Sequence, residues 1–376
     1  MAAGARAVAE AELRQSRFVR AFLLRRLGAI LLFFFAFDAL IFRTGLYPSI
    51  VEPESTTGAL ELVLRNEIER PTPNRNQVLG IGHSRMALQP RLANQSGTGY
   101  TFASIWMGGT TPRDWYYELR AVDPTARRYA AILIAIDDFD EPDDYDYFGE
   151  READLHYLAV RLGLRDLLPF SLSYDSPRLR WEAFSGILLK SFIFRRDFQA
   201  FLAAPAARIE KVKLFRRGSA RWRYDSDGDE LSLAGLSVDW KARQIHFPDR
   251  LKPEQRQFIQ DVFFKPYPPQ TGRMTAFCRQ WYGRILDHYR GSGTRLIFFR
   301  VPRAPVLAPP AFPAKPHSAV RDLAGEPGVI VLPEHRFDVL ERPEFFADPL
   351  HLDRTAMHEF TRMLAADVQR ILGPPK

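Results

Sequence analysis

Three short segments of this chain hold residue types that together could carry acyl transfer. Gly82-His83-Ser84-Arg85-Met86 directly follows an apolar run over residues 77–81. A serine on the turn after a strand can expose its hydroxyl at a sheet edge, with backbone N–H groups of a helix start beside it. Asp348-Pro349-Leu350-His351-Leu352-Asp353 precedes an amphipathic helical pattern over 355–372. An Asp three residues ahead of a His lets the carboxylate orient the imidazole, and the ring can then deprotonate a serine. Gly108-Gly109 follows the apolar-aromatic run 102–107 and offers N–H groups clear of side chains, as a developing oxyanion requires. Each segment also has a plainer reading. Ser84 suits a helix cap, Asp348 or Asp353 suits a cap with His351 at the surface, and a Gly pair suits an ordinary tight turn. His83 is a rival base for Ser84, although sequence neighbours on a turn usually point apart.

Such residues need a scaffold. Apolar runs at 77–81, 130–136, 294–301 and 329–332 read as buried strands. Helical patterns cover 59–68, 112–122 (with Thr111 as a cap before Pro112), 155–168, 181–209, 258–264, 275–289 and 355–372. Short apolar strands alternating with helices predict an α/β fold: a parallel sheet in three layers, with helices on both faces. Sites in such sheets form at the carboxyl ends of the strands. That edge would collect Ser84, Asp137-Asp138 and residues 300–303. Residues 211–250, basic and then polar, read as an insertion or cap. Its Trp222, Tyr224, Trp240 and Arg243 suit stacking on sugars or simple packing. Residues 302–316 are Pro-rich and read as a long loop.

The N-terminus is organised differently. Residues 27–47 are almost uniformly apolar, interrupted by Asp38 and Arg43. The stretch is near the lower limit for crossing a bilayer, and a carboxylate near one end can reach the interface. No small-residue cleavage site follows it, so it reads as an uncleaved anchor. Six arginines and two glutamates before it place +4 of the formal +7 charge in the first 26 residues. The cationic flank predicts a cytoplasmic tail over 1–26, a single transmembrane helix over 27–47, a stalk or entry helix over 48–76 and an extracytoplasmic domain over 77–376. The remaining charge is diffuse, which argues against nucleic acid as a partner. The single Cys278 excludes an intrachain disulfide and reads as a buried apolar residue. No cluster has metal-ligand spacing and no phosphate-binding glycine pattern occurs, so neither metal nor cofactor is expected.

The order of Ser near the start, Gly later and Asp-x-x-His before the last helix resembles the SGNH (GDSL-like) hydrolase superfamily. The strand followed by Gly-x-Ser and the Asp-x-x-His-Leu element carry the resemblance, which spans residues 77–370 through some 15 positions. With the anchor, the chain is most similar to the membrane-bound branch that serves alginate O-acetylation and D-alanyl transfer to teichoic acid. The resemblance implies a flavodoxin-like sheet, Ser84 as nucleophile, His351 as general base and Asp348 as the residue orienting it. It further implies an oxyanion hole from the backbone N–H groups of Ser84 and of Gly108 or Gly109. His83 stands where the family has Asp, and Asp137-Asp138 where it has Asn. Arg85 is then a candidate for the remaining oxyanion donor, and Asp137 or Asp138 for a helix cap or a partner of Arg85. The expected activity is acyl transfer or ester hydrolysis on a cell-surface or exported polysaccharide at the inner membrane, beside a multi-spanning acyltransferase. The alternative is a catalytically inactive subunit of the same fold that scaffolds polysaccharide modification.

Overall fold

The computed structural model describes residues 25–71, 76–140, 144–217, 232–264, 271–303 and 318–375. Five parallel strands form the central sheet: β1 (Gln77–Gly82), β2 (Thr101–Trp106), β3 (Ala131–Ile136) and two further strands at the C-terminal side. Between them in sequence lies a small antiparallel hairpin, β4 (Ser237–Asp239) and β5 (Gln244–His246), and then β6 (Arg295–Arg300) and β7 (Val329–Val331) complete the sheet. The order is β2-β1-β3-β6-β7, a doubly wound arrangement whose direction of winding reverses between β1 and β3.

Alternation along each strand divides the core in two. Ile132, Ile134 and Ile136 of β3 face one cluster, with the helices Thr56–Glu69, Pro112–Val122 and Arg273–Tyr289. Ala131, Leu133 and Ala135 face the other, with the last helix, Arg354–Leu372. The three-layer α/β expectation therefore holds, because strands buried on both faces read as continuous apolar runs. Each fully buried Ile or Phe here contributes about 1.5–3 kcal/mol.

The sequence reading differs from the fold in four places. Residues 101–106 are a full strand, β2, hidden in the sequence by its edge position and its Thr, Ser and Trp. The helical pattern over 181–209 is divided among three helices. Leu189 is extended between Pro177–Leu188 and Lys190–Ala203, and Pro205 starts the third, Pro205–Arg216. The pattern over 155–168 is likewise broken, with Gly163 leading into a short 3-10 turn, Leu164–Asp166. The segment expected as a stalk is part of the domain: Leu60 and Leu64 of helix Thr56–Glu69 are completely buried in the first core cluster, and the Tyr129 hydroxyl donates to Glu67 at 2.9 Å.

The apolar helix over Arg25–Ser49 is long and apolar enough to cross a membrane. Asp38 does not reach for an interface alone. Its carboxylate is buried and accepts from the backbone N–H groups of Lys190 (3.1 Å) and Ser191 (2.8 Å), tying this helix to the domain.

Candidate active site

Parallel pairing aligns Gly82 of β1 with Trp106 of β2, so the turns that leave both strands lie side by side at the carboxyl edge. The first turn closes with Met86 N–H donating to the His83 carbonyl at 2.9 Å, and Ser84 and Arg85 occupy its corner. Gly82 is required there. A Cβ would stand 2.8 Å from that of Ala135 and 3.2 Å from that of Met86, so a side chain would force the turn away from β3. No helix begins at Ser84; the next one, Pro90–Asn94, starts six residues later. The expected support from a helix start is therefore absent, and the turn itself presents the hydroxyl.

The loop 346–353 brings the other two groups. Phe346 and Leu352 form an antiparallel bridge, with Ala347 N–H donating to the His351 carbonyl at 3.0 Å. Asp353 caps the last helix through Ala356 N–H at 2.7 Å, which leaves Asp348 for the histidine. Asp348 lies 2.9 and 3.0 Å from His351 Nδ1 through its two oxygens. On the other side of the ring, His351 Nε2 is 2.9 Å from Ser84 Oγ. With Nδ1–H donating to Asp348, Nε2 is the acceptor that faces the serine hydroxyl. Burial acts to raise the Asp348 carboxyl pKa. Hydrogen bonds from the His351 ring and from the Leu350 and His351 backbone, with the field of the ring, outweigh it and hold the carboxyl below its ordinary value.

Gly108 and Gly109 form the turn beside Ser84. The nearest atom that a Cβ on Gly108 would meet is the Ser84 Cβ, at 3.9 Å. Gly109 has φ +76°, which a side chain would strain. The backbone N–H groups of Ser84, Gly108 and Gly109 donate to no acceptor among the described residues. The turn is braced from beneath. Tyr157 donates to the Gly108 carbonyl at 2.6 Å, Thr110 Oγ1 donates to the Gly82 carbonyl at 3.2 Å, and Trp115 Nε1 donates to Thr110 Oγ1 at 3.1 Å. None of these three braces has a motif in the sequence; they meet the site only through the fold.

The departures from the family pattern form a unit of their own. Asp137 Oδ1 lies 2.6 Å from Arg85 Nη1 and 3.1 Å from His83 Nε2. Desolvation acts to raise the Asp137 carboxyl pKa although its side chain is partly exposed, and the fields and hydrogen bonds of His83 and Arg85 overcome this and hold it well below the usual range. The other terminal nitrogen of Arg85 donates to the Pro302 carbonyl. Arg85 is thus held through both terminal nitrogens, while its Nε makes no hydrogen bond among the described residues. His83 has both ring nitrogens engaged, Nδ1 accepting Arg85 N–H at 3.2 Å and Nε2 beside Asp137, so it faces neither Ser84 Oγ nor His351. Asp138 lies apart. With Asp140 and Glu334 it offers carboxylate oxygens within 4.8 Å of one another, and Arg321 supplies the cation to Asp140 (2.5 Å) and Glu334 (3.1 Å).

A cleft of about 210 Å³ opens over Ser84, lined by His351, Gln89, Leu88, Trp106 and Met357. Gln89 N–H donates to Thr361 Oγ1 at 3.0 Å, which fixes the last helix against the segment after Ser84. Of the four residues that suit stacking on sugars or simple packing, two are described, and both pack within the domain. Trp240 packs on Phe263 and Phe264, and Arg243 lies over Phe264, while Trp222 and Tyr224 are outside the described residues.

No protein-family model matches the chain, and no curated protein matches it at a significant level.

Proposed function

We propose that this chain is a membrane-anchored serine acyltransferase or acylesterase of the SGNH type, with Ser84 as nucleophile. The observation that carries the reading is the continuous relay from Ser84 Oγ through His351 to Asp348, with 2.9 Å at both junctions. His351 Nε2 takes the Ser84 proton as the oxygen attacks an ester carbonyl. The carbonyl oxygen gains the negative charge, and the unengaged N–H groups of Ser84 and of Gly108 or Gly109 stabilise it. The C–O bond to the leaving alcohol then breaks, and His351 returns the proton to that alcohol. The acyl group remains on Ser84 until a sugar hydroxyl or water takes it by the same steps in reverse.

The substrate reading, acyl esters of a cell-surface or exported polysaccharide, rests on the resemblance, and the Trp106 rim of the cleft suits a sugar ring. The arginine-rich flank of the apolar helix supports a cytoplasmic N-terminus and an extracytoplasmic domain at the inner membrane. A multi-spanning acyltransferase as acyl donor belongs to the same reading.

A second reading, a non-catalytic scaffold of the same fold, is favoured by one observation: Asp137 offers no amide donor where the family has Asn. The deciding experiment is covalent labelling of the full chain in detergent with a fluorophosphonate probe, beside Ser84→Ala and His351→Ala. Labelling of the wild type that both substitutions abolish supports the enzyme. A folded wild type that takes no label turns the reading to the scaffold.

A further inference from the structure

We infer that residues 188–192, with the neighbouring Leu164 and Leu168, lie in the interfacial layer of the membrane that the N-terminal helix enters. The domain would then rest on the bilayer instead of standing off it. This rests on the reading of that helix as a membrane anchor.

The first argument is depth. Asp38 accepts from Lys190 and Ser191 N–H, and the Arg43 guanidinium donates to the Ile187 and Leu188 carbonyls. The turn between helices Pro177–Leu188 and Lys190–Ala203 is thus fixed at the height of residues 38–43. Below that height the anchor offers residues 27–37, a rise of about 17 Å against a hydrocarbon core of about 30 Å. The apolar face of the anchor also continues upward, since Leu40 is 55% exposed on the side away from the domain. Hydrocarbon that covers Leu40 reaches the level of the turn. Phe42 packs on Phe194 and Phe198, and Tyr47 on Phe198 and Phe201, so Lys190–Ala203 climbs away from the membrane with its N-terminus lowest.

The second argument is independent of depth: the low end of that helix is built as a lipid-facing helix end must be. Helix starts usually leave N–H groups to water. Here Lys190 and Ser191 donate to Asp38, and Phe192 donates to the Leu189 carbonyl at 3.2 Å. The Lys190 ammonium is buried and donates to the Ala159 carbonyl, so its charge is withdrawn from the surface.

The third argument is composition. Phe192 is 62% exposed, Leu164 60% and Leu168 58%. The Leu164–Asp166 turn packs on helix Pro177–Leu188, and the chain five residues before Leu164 meets the low end of the next helix, where Lys190 Nζ donates to the Ala159 carbonyl. Arg195 and Arg196, exposed and one helical turn above Phe192, and Arg165 beside Leu164 fit lipid phosphates above an apolar layer.

The test uses the full chain in vesicles of phosphatidylethanolamine and phosphatidylglycerol. Nitroxide labels are placed one at a time at Phe192→Cys, Leu168→Cys, Leu32→Cys in the anchor and Val339→Cys on an exposed turn of the domain, each with Cys278→Ala. Collision with oxygen is compared with collision with a water-soluble nickel chelate. The expected result is oxygen-dominated relaxation at 32, 168 and 192 and nickel-dominated relaxation at 339. Nickel-dominated 168 and 192 with oxygen-dominated 32 overturns the inference and leaves the anchor standing. A nickel-dominated 32 overturns both. Positions 168 and 192 shielded from both reagents would mean a protein cover, a second copy or a membrane partner, and would also overturn it.

Discussion

Tyr157 donates its phenolic hydrogen to the Gly108 carbonyl at 2.6 Å and so orients a peptide 49 residues away in sequence. The peptide is planar, so holding that carbonyl toward the tyrosine leaves the Gly109 N–H on the opposite side. Tyr157→Phe keeps the ring and loses the hydrogen bond, about 1 kcal/mol. We expect a roughly fivefold slower reaction with a fluorophosphonate probe and a fall in thermal unfolding temperature of no more than about 2–4 °C. An unchanged rate would mean that the Gly108–Gly109 turn holds its shape without this contact.

Gly108 gives a steric version of the same test. A methyl group there meets only the Ser84 Cβ, at an ordinary 3.9 Å, and Gly108 needs no positive φ. Gly108→Ala should therefore fold normally while crowding the space where an acyl carbonyl would sit. The expected outcome is a loss of roughly tenfold or more in ester hydrolysis at unchanged stability. Full activity would move the acyl position elsewhere in the cleft.

Asp348→Asn replaces an acceptor with an amide that can donate to His351 Nδ1 and so favour the wrong ring tautomer. Labelling of Ser84 should slow by roughly 10³–10⁴-fold. Circular dichroism should be unaltered, since Asp353 and not Asp348 caps the last helix.

Leu64→Ala tests the packing of the segment before β1. Leu64 is fully buried, so the substitution should destabilise the protein by about 2–5 kcal/mol in urea unfolding. Removal of residues 1–70 should abolish folding, whereas a free stalk would tolerate both changes.

Asp114 supplies a pH dependence. It accepts from Thr111 N–H at 2.8 Å, just beyond the Gly108–Gly109 turn. Burial, and then Asp154 beside it, push its carboxyl pKa up to about 7. The folded state therefore binds a proton that the unfolded state lacks between about pH 4 and 7. From this group, stability rises as pH falls through that window and is lost as pH rises, by up to about 1.4 kcal/mol per unit. Asp114→Asn should remove that slope. In urea titrations the variant should gain on the wild type more at pH 7.5 than at pH 5, and equal differences at both would contradict the shift.

Much of this was legible in the amino-acid order. Strands β1, β3, β6 and β7 are apolar on both faces and carry no helical period, so they appear as runs whatever packs against them. Ser84, Asp348 and His351 could be singled out because turn residues, an Asp-x-x-His spacing and the start of an amphipathic helix are local features. The long apolar N-terminal helix was equally local, since length and hydropathy alone define it.

What only the tertiary structure decided is everything set by contacts across the chain. It brought His351 to 2.9 Å from Ser84 over a separation of 267 residues, because parallel strands deliver their outgoing turns to one edge and the last helix is clamped beside them. It gave Asp137 to Arg85 and His83, caught Asp38 with the N–H groups of Lys190 and Ser191, and set Tyr157 under Gly108. A carboxylate or a phenol has the same intrinsic chemistry wherever it stands in the sequence. Which donor or acceptor it meets depends on burial and distance, and those exist only once the chain has folded.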